Sequence, residues 1–184
     1  MHRDELPQPG LPRQVAATTD IISGGRVQMG IGGGWYEHEW RAYGYGFPPS
    51  AGGVRLARLD EGVQIMRDAW QMGGKVTFDG KQYQVDGGAI VAPKPLQENG
   101  IPLWIAGGGE KVTLKIAAKY AQYTNFTSEP DGFKHKSQVL ADHCREVGTD
   151  FDAIVRSANV NAILGTSADD VTARVKRVRD RLAG

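Results

Sequence analysis

Short apolar runs and amphipathic helical stripes alternate along this chain from Val27 to Leu182, and that alternation restricts the fold more than any other feature. Val27 to Ile31, Leu103 to Ala106, Tyr123 to Phe126 and Ala158 to Leu164 read as strands. Between and after them, apolar residues recur at three- and four-residue steps, the spacing of one helix face. Those stripes are Leu56, Leu59, Val63, Met66 and Trp70; Val112, Ile116 and Tyr120; Phe133, Ser137, Leu140, Cys144 and Val147; and Val171, Val175, Val178 and Leu182. Strand and helix in strict turn demand parallel pairing with right-handed crossovers, so the expected class is α/β. A length of 184 residues suits one such domain.

Local signals refine this order. Val15 to Ile22 reads as the end of a helix that Ser23-Gly24-Gly25 closes. Val76 to Val85 reads as a hairpin inserted between strand units, with Asp79-Gly80 as its turn. Ser167 with Asp170 makes a capping box for the last helix. Pro7, Pro9 and Pro12 make the start of the chain an extended or disordered lead-in, so residues 1–14 are expected to be irregular and 15–184 to form the domain.

Two of the strands end in glycine triplets. Gly30-Ile31-Gly32-Gly33-Gly34-Trp35 follows Arg26-Val27-Gln28-Met29, and Gly107-Gly108-Gly109 follows Pro102 to Ala106. Consecutive glycines permit positive φ and close approach of a ligand to the backbone, at an entropic cost an ordinary loop need not bear. In parallel α/β sheets, ligands gather at the carboxyl ends of strands, where both triplets fall. Gly107 to Gly109 also place free N–H groups before a helix, which suits a phosphate or carboxylate as well as it suits a bare tight turn.

Better-known phosphate motifs do not fit. Gly-x-Gly-x-x-Gly fails because Trp35 or Glu37 stands where the third glycine is required, and the clear helix begins some twenty residues later. Gly109-Glu110-Lys111-Val112-Thr113 lacks the Gly-Lys-Ser/Thr ending of a P-loop. Glu37, His38 and Glu39 are adjacent and so diverge on a helix, while His135 and His143 are eight apart, so no metal site is expected. The aromatic group Trp35, Tyr36, Trp40, Tyr43, Tyr45 and Phe47 suits packing under a loop or a wall beside a flat ring. With 22 basic and 21 acidic side chains the net charge is +1, which gives no reason to expect nucleic acid or a membrane surface as partner. Cys144 stands alone, and no run approaches the roughly 18 apolar residues of a membrane span. A cytoplasmic protein is expected.

Six strings together carry a resemblance. Ile21-Ile22-Ser23-Gly24-Gly25-Arg26-Val27 leads to Gly30-Ile31-Gly32-Gly33-Gly34-Trp35-Tyr36-Glu37 and Ala42-Tyr43-Gly44. Phe78-Asp79-Gly80-Lys81-Gln82-Tyr83 and Pro93-Lys94-Pro95 come next, then Ile101-Pro102-Leu103-Trp104-Ile105-Ala106-Gly107-Gly108-Gly109-Glu110-Lys111. This series resembles the luciferase-like monooxygenase superfamily, in its coenzyme F420-dependent branch, from about Val15 to about Ala173. The resemblance implies a TIM-barrel, a (β/α)8 fold holding F420 or FMN at its carboxyl-end face, and hydride transfer to a small-molecule substrate. It implies that Gly107, Gly108 and Gly109 receive the coenzyme phosphate. Gly32, Gly33, Gly34, Trp35 and Tyr36 would lie beside the ring and its polyol chain, and Asn125 would line the pocket. No residue receives a catalytic role from it; Tyr36, Glu37 and His38 are the polar side chains to test.

Against that family, the three strand–helix units that precede the first helix and the strand that follows the last are expected to be lacking, leaving a partial barrel with a β-hairpin insertion. An F420-dependent oxidoreductase is the first functional expectation. A non-catalytic relative acting through association and an FMN-dependent monooxygenase are the alternatives. Open strand edges at Val27 to Ile31 and Ala158 to Leu164 lead to the expectation of a homo-oligomer.

Overall fold

Leu103 and Ile105 are buried while Trp104 and Ala106, which alternate with them, turn the other way, the period-two pattern of a strand with one face on a core. In this computed structural model, which describes residues 9–48, 53–71, 76–88, 92–126, 129–160 and 162–182, they form β4 (Leu103–Ala106). β4 lies inside a sheet of order β1-β4-β5-β6, with β1 at Met29–Gly32, β5 at Tyr123–Phe126 and β6 at Val155–Ala158. Every pair in it is parallel. Helices α3 (Gly53–Gln71), α4 (Thr113–Tyr120) and α5 (Pro130–Val147) make the crossovers, and α1 (Gly10–Ser23) precedes the sheet. The short α2 (Glu37–Ala42) follows β1, and α6 (Ala168–Leu182) follows β6. β2 (Val76–Asp79) and β3 (Gln84–Gly88) form the separate antiparallel hairpin. The alternating α/β order and the hairpin insertion are as the sequence leads one to expect.

The core lies between the sheet and its helices. Leu59, Val63, Met66 and Trp70 of α3 meet Leu114 and Ala117 of α4 and Leu140 and Cys144 of α5, over Leu103 and Ile105. The stripes of α3 and α5 turn their apolar side chains to this core, which is why the helical spacing predicted them. Val112, by contrast, caps α4 and is exposed, and α6 has no buried residue among those described.

Several boundaries differ from expectation, each for a physical reason. α1 begins at Gly10, within the stretch expected to be irregular up to residue 14. Pro12 falls in its first turn, where a missing N–H leaves no helical bond unmade. The first strand starts at Met29, because the Val27 N–H goes to the Asp20 carboxylate and the Val27 carbonyl to Gln97 Nε2. The last strand is Val155–Ala158 rather than Ala158 to Leu164. Among the described residues the ladder with β5 ends at Phe126–Ala158, and Val160 and Leu164 beyond it are exposed. The hairpin turns through four residues, Gly80 to Tyr83, instead of two. Glu61 of α3 holds that loop by accepting the N–H groups of Lys81, Gln82 and Tyr83 at 2.8–3.1 Å.

The expected capping box forms with a shift. Ser167 Oγ accepts the Asp170 N–H, while Asp170 Oδ2 accepts from Thr166, one residue earlier than the motif requires.

Candidate functional site

β1 and β4 are neighbours, with Ile31 opposite Ile105 and Gly32 opposite Ala106, so the chain leaves both strands at the same edge of the sheet. The two glycine triplets therefore stand side by side. Between them is a cavity of about 340 Å³ whose walls include Gly32, Gly33, Gly34, Trp35, Gly107 and Thr113. A second cavity of about 280 Å³ lies beyond Gly32–Gly34, towards Trp40, Arg58 and Tyr83, and Arg55 lines both.

Two of these glycines are required by geometry. Gly107 has φ +123°, which only glycine adopts readily, and its N–H donates to the Asn125 carbonyl at 3.0 Å. Gly34 has φ +61°, and a Cβ there would stand 2.8 Å from Trp40 Nε1. At Gly34 the space is thus taken by the chain's own indole, not left for a ligand. The Gly108 and Gly109 N–H groups have no acceptor among the described residues. Val112, at the head of α4, supplies no side-chain cap. Thr113 is only 5% exposed, lines the first cavity, and its hydroxyl meets no partner among the described residues.

The aromatic group divides between its two readings. Trp40 is 7% exposed and packs edge-on against Phe47 at 5.5 Å, so it serves the fold. Trp35, 82% exposed, stands at the cavity with Tyr36 tilted beside it at 5.3 Å. Tyr36, Gly108, Gly109 and Asn125 do not line the cavity itself. Asn125 is tied down beside it, its Nδ2 donating to Ser157 Oγ at 3.0 Å and to Asn159 Oδ1 at 3.4 Å.

Charge collects around the second triplet. Lys136 Nζ donates to the Gly108 carbonyl at 2.6 Å and to Glu110 Oε1 at 3.0 Å, and His135 Nε2 meets the same oxygen at 3.2 Å. Lys136, then His135, hold the Glu110 carboxyl below the ordinary carboxylate range. Arg55 sits over the Phe47 ring at 4.5 Å. Arg55, Thr113 and Lys136 were not among the site residues expected from the sequence. Thr113, six residues after Gly107 at the start of a helix stripe, was the one with a local signal. Glu37 pairs with Arg41 at 2.6 Å, and no cluster of three metal-ligating side chains exists among the described residues.

Comparison with known proteins gives a consistent picture. Residues 8–183 match the family described as luciferase-like monooxygenase. The F420-dependent glucose-6-phosphate dehydrogenase of Mycolicibacterium smegmatis is 37% identical over 113 residues, 61% of this chain and 31% of that protein. Pyrimidine monooxygenase RutA of Stutzerimonas stutzeri is 30% identical over 145 residues, 76% of this chain and 39% of that protein. A solved F420-dependent secondary alcohol dehydrogenase, in complex with an F420–acetone adduct, superposes with a TM-score of 0.72 at 27% identity, covering 86% of this chain and 46% of that one. The chain thus spans between about a third and a half of the length of these proteins. No helix among the described residues is long and apolar enough to cross a membrane.

Proposed function

Because this chain belongs to the luciferase-like monooxygenase family, we propose that it binds coenzyme F420 between its two glycine loops and serves hydride transfer to a small-molecule substrate. The observation that carries this reading is the pairing of β1 with β4, which brings Gly32–Gly34 and Gly107 to the walls of one cavity, with Gly108 and Gly109 following directly on Gly107. The F420-dependent proteins among its relatives support the choice of cofactor. The donor set suits an anionic group. The N–H groups of Gly108 and Gly109 and the Thr113 hydroxyl, none with a partner among the described residues, can donate to a phosphate.

In this reading the deazaflavin, when bound, supplies the hydride chemistry. The protein's own residues bind and orient. Gly108, Gly109 and Thr113 hold the phosphate, Trp35 and Tyr36 flank the ring, and Asn125 fixes Gly107 through its carbonyl. Arg55 places a positive charge between both cavities, where it can meet an anionic part of cofactor or substrate. An FMN-dependent monooxygenase is the second reading. It is favoured by the longer share of this chain that matches the pyrimidine monooxygenase. We further propose that the chain self-associates through its sheet edges.

Fluorescence titration with F420 and FMN tests the reading. F420 is expected to bind more tightly than FMN, and Gly108→Asp is expected to weaken it at least about tenfold by charge repulsion. Tighter FMN binding would favour the second reading, and binding of neither would overturn both.

A further inference from the structure

Helix α5 takes hold of two carbonyls of the second glycine loop. Lys136 Nζ donates to the Gly108 carbonyl at 2.6 Å, and His143 Nε2 donates to the Glu110 carbonyl at 2.7 Å. A carbonyl only accepts, so that imidazole nitrogen carries a proton. The two residues are seven apart, hence on one face of α5, and their side chains are only 21% and 18% exposed.

A trans peptide points its C=O and the following N–H in opposite directions. The only cis peptide bond among the described residues is Ala92–Pro93. Fixing the Gly108 carbonyl towards α5 therefore turns the Gly109 N–H away from it. Fixing the Glu110 carbonyl does the same for the Lys111 N–H. Neither N–H has an acceptor among the described residues. The loop ends at Thr113, a buried residue on the cavity wall whose hydroxyl has no partner among the described residues. Glu110 Oε1, shared by Lys136 and His135, keeps the Lys136 ammonium at its post and partly neutralised.

We propose that Lys136 and His143 are positioning residues that preset the loop from Gly108 to Lys111 as a receptor for a phosphate ester, by holding alternate carbonyls against α5. The inference rests on the cofactor reading above and adds which side chains shape its phosphate end. Their action is through the peptide groups they orient, before any ligand arrives, so binding does not bear the cost of ordering the loop.

The test compares molecules that differ in the phosphate. FMN with riboflavin, and F420 with the phosphate-free deazaflavin that keeps its ribityl chain, are titrated against the full chain and its Lys136→Met, His143→Leu and His143→Gln variants. Lys136→Met keeps the stem that packs on Gly108, and thermal melts establish that each variant is folded. Lys136→Met and His143→Leu are expected to lose about tenfold or more in affinity for the phosphorylated molecules and less than twofold for the others. His143→Gln, which restores a donor near the same place, is expected to recover most of the loss. Folded variants that bind the phosphorylated molecules like the parent, or that lose both kinds equally, would overturn the proposal. Failure of the parent chain to bind any of the four would instead remove the cofactor reading, and this inference with it.

Discussion

Asp20 is fully buried at the end of α1 and joins three segments of chain. Its carboxylate accepts the N–H groups of Val27, Leu96 and Gln97 and the Gln97 side-chain amide, at 2.8–3.3 Å. Burial pushes this carboxyl up, but the hydrogen bonds, that of the Gln97 side chain foremost, outweigh it and hold it below its ordinary value. A depressed carboxyl contributes stability above its unfolded value, near pH 4, that is lost as pH falls through the lower folded value. Denaturant unfolding should therefore show Asp20→Ala weaker than the parent by about 3 kcal/mol at pH 7, with the difference shrinking below pH 4. An undiminished difference at pH 3 would mean that the carboxylate's charge is not what matters. Gly34→Ala puts a Cβ against Trp40 at a positive φ and should cost about 1–3 kcal/mol in a thermal melt, whereas Gly44→Ala, with open space around it, should bear only the strain of its φ.

Among the elements, β4 and β5 lie where their sequences place them, because each apolar run is bounded on both sides by residues that end a strand. Helices α3 and α5 were legible for a similar reason: their buried residues repeat at helical spacing. What stayed hidden is what distant chain decides. The start of β1 is set by Asp20 and Gln97, 77 residues apart in sequence, and the end of β6 by where its pairing with β5 stops. The aromatic run around Trp40 hid α2, whose short sequence has no repeat to reveal. In the site, the glycine loops and Trp35 were legible because their residue types are unusual. Arg55 and Lys136 were not, because a charged residue on a helix looks the same whether it meets solvent or a loop. The hairpin shows the same dependence on distant chain, since Glu61 replaces the turn that Asp79-Gly80 suggested. Glu61→Ala should accordingly speed amide exchange at Lys81, Gln82 and Tyr83 at least about tenfold while leaving β4 protected. Unchanged exchange there would show the loop to be held by its own contacts.

At the scale of the whole molecule, β1 and β6 flank the sheet, and each has one edge without a strand partner among the described residues. The face of the sheet away from the helices carries the stacked pair Trp104 and Tyr123, ring centres 4.6 Å apart, and the half-exposed Val155. Apolar surface beside open edges favours association, so sedimentation velocity should show a dimer or larger species growing with concentration. A single monomeric boundary throughout the micromolar range would contradict the proposed self-association. The central claim, that the two glycine loops form one cofactor site, is tested most directly by amide NMR during titration with F420. The resonances of Gly32, Gly33, Gly34, Gly107, Gly108 and Gly109 are expected to shift together along one binding curve, while those of the β2–β3 hairpin stay in place. Shifts confined to one loop, or located at the hairpin instead, would contradict it.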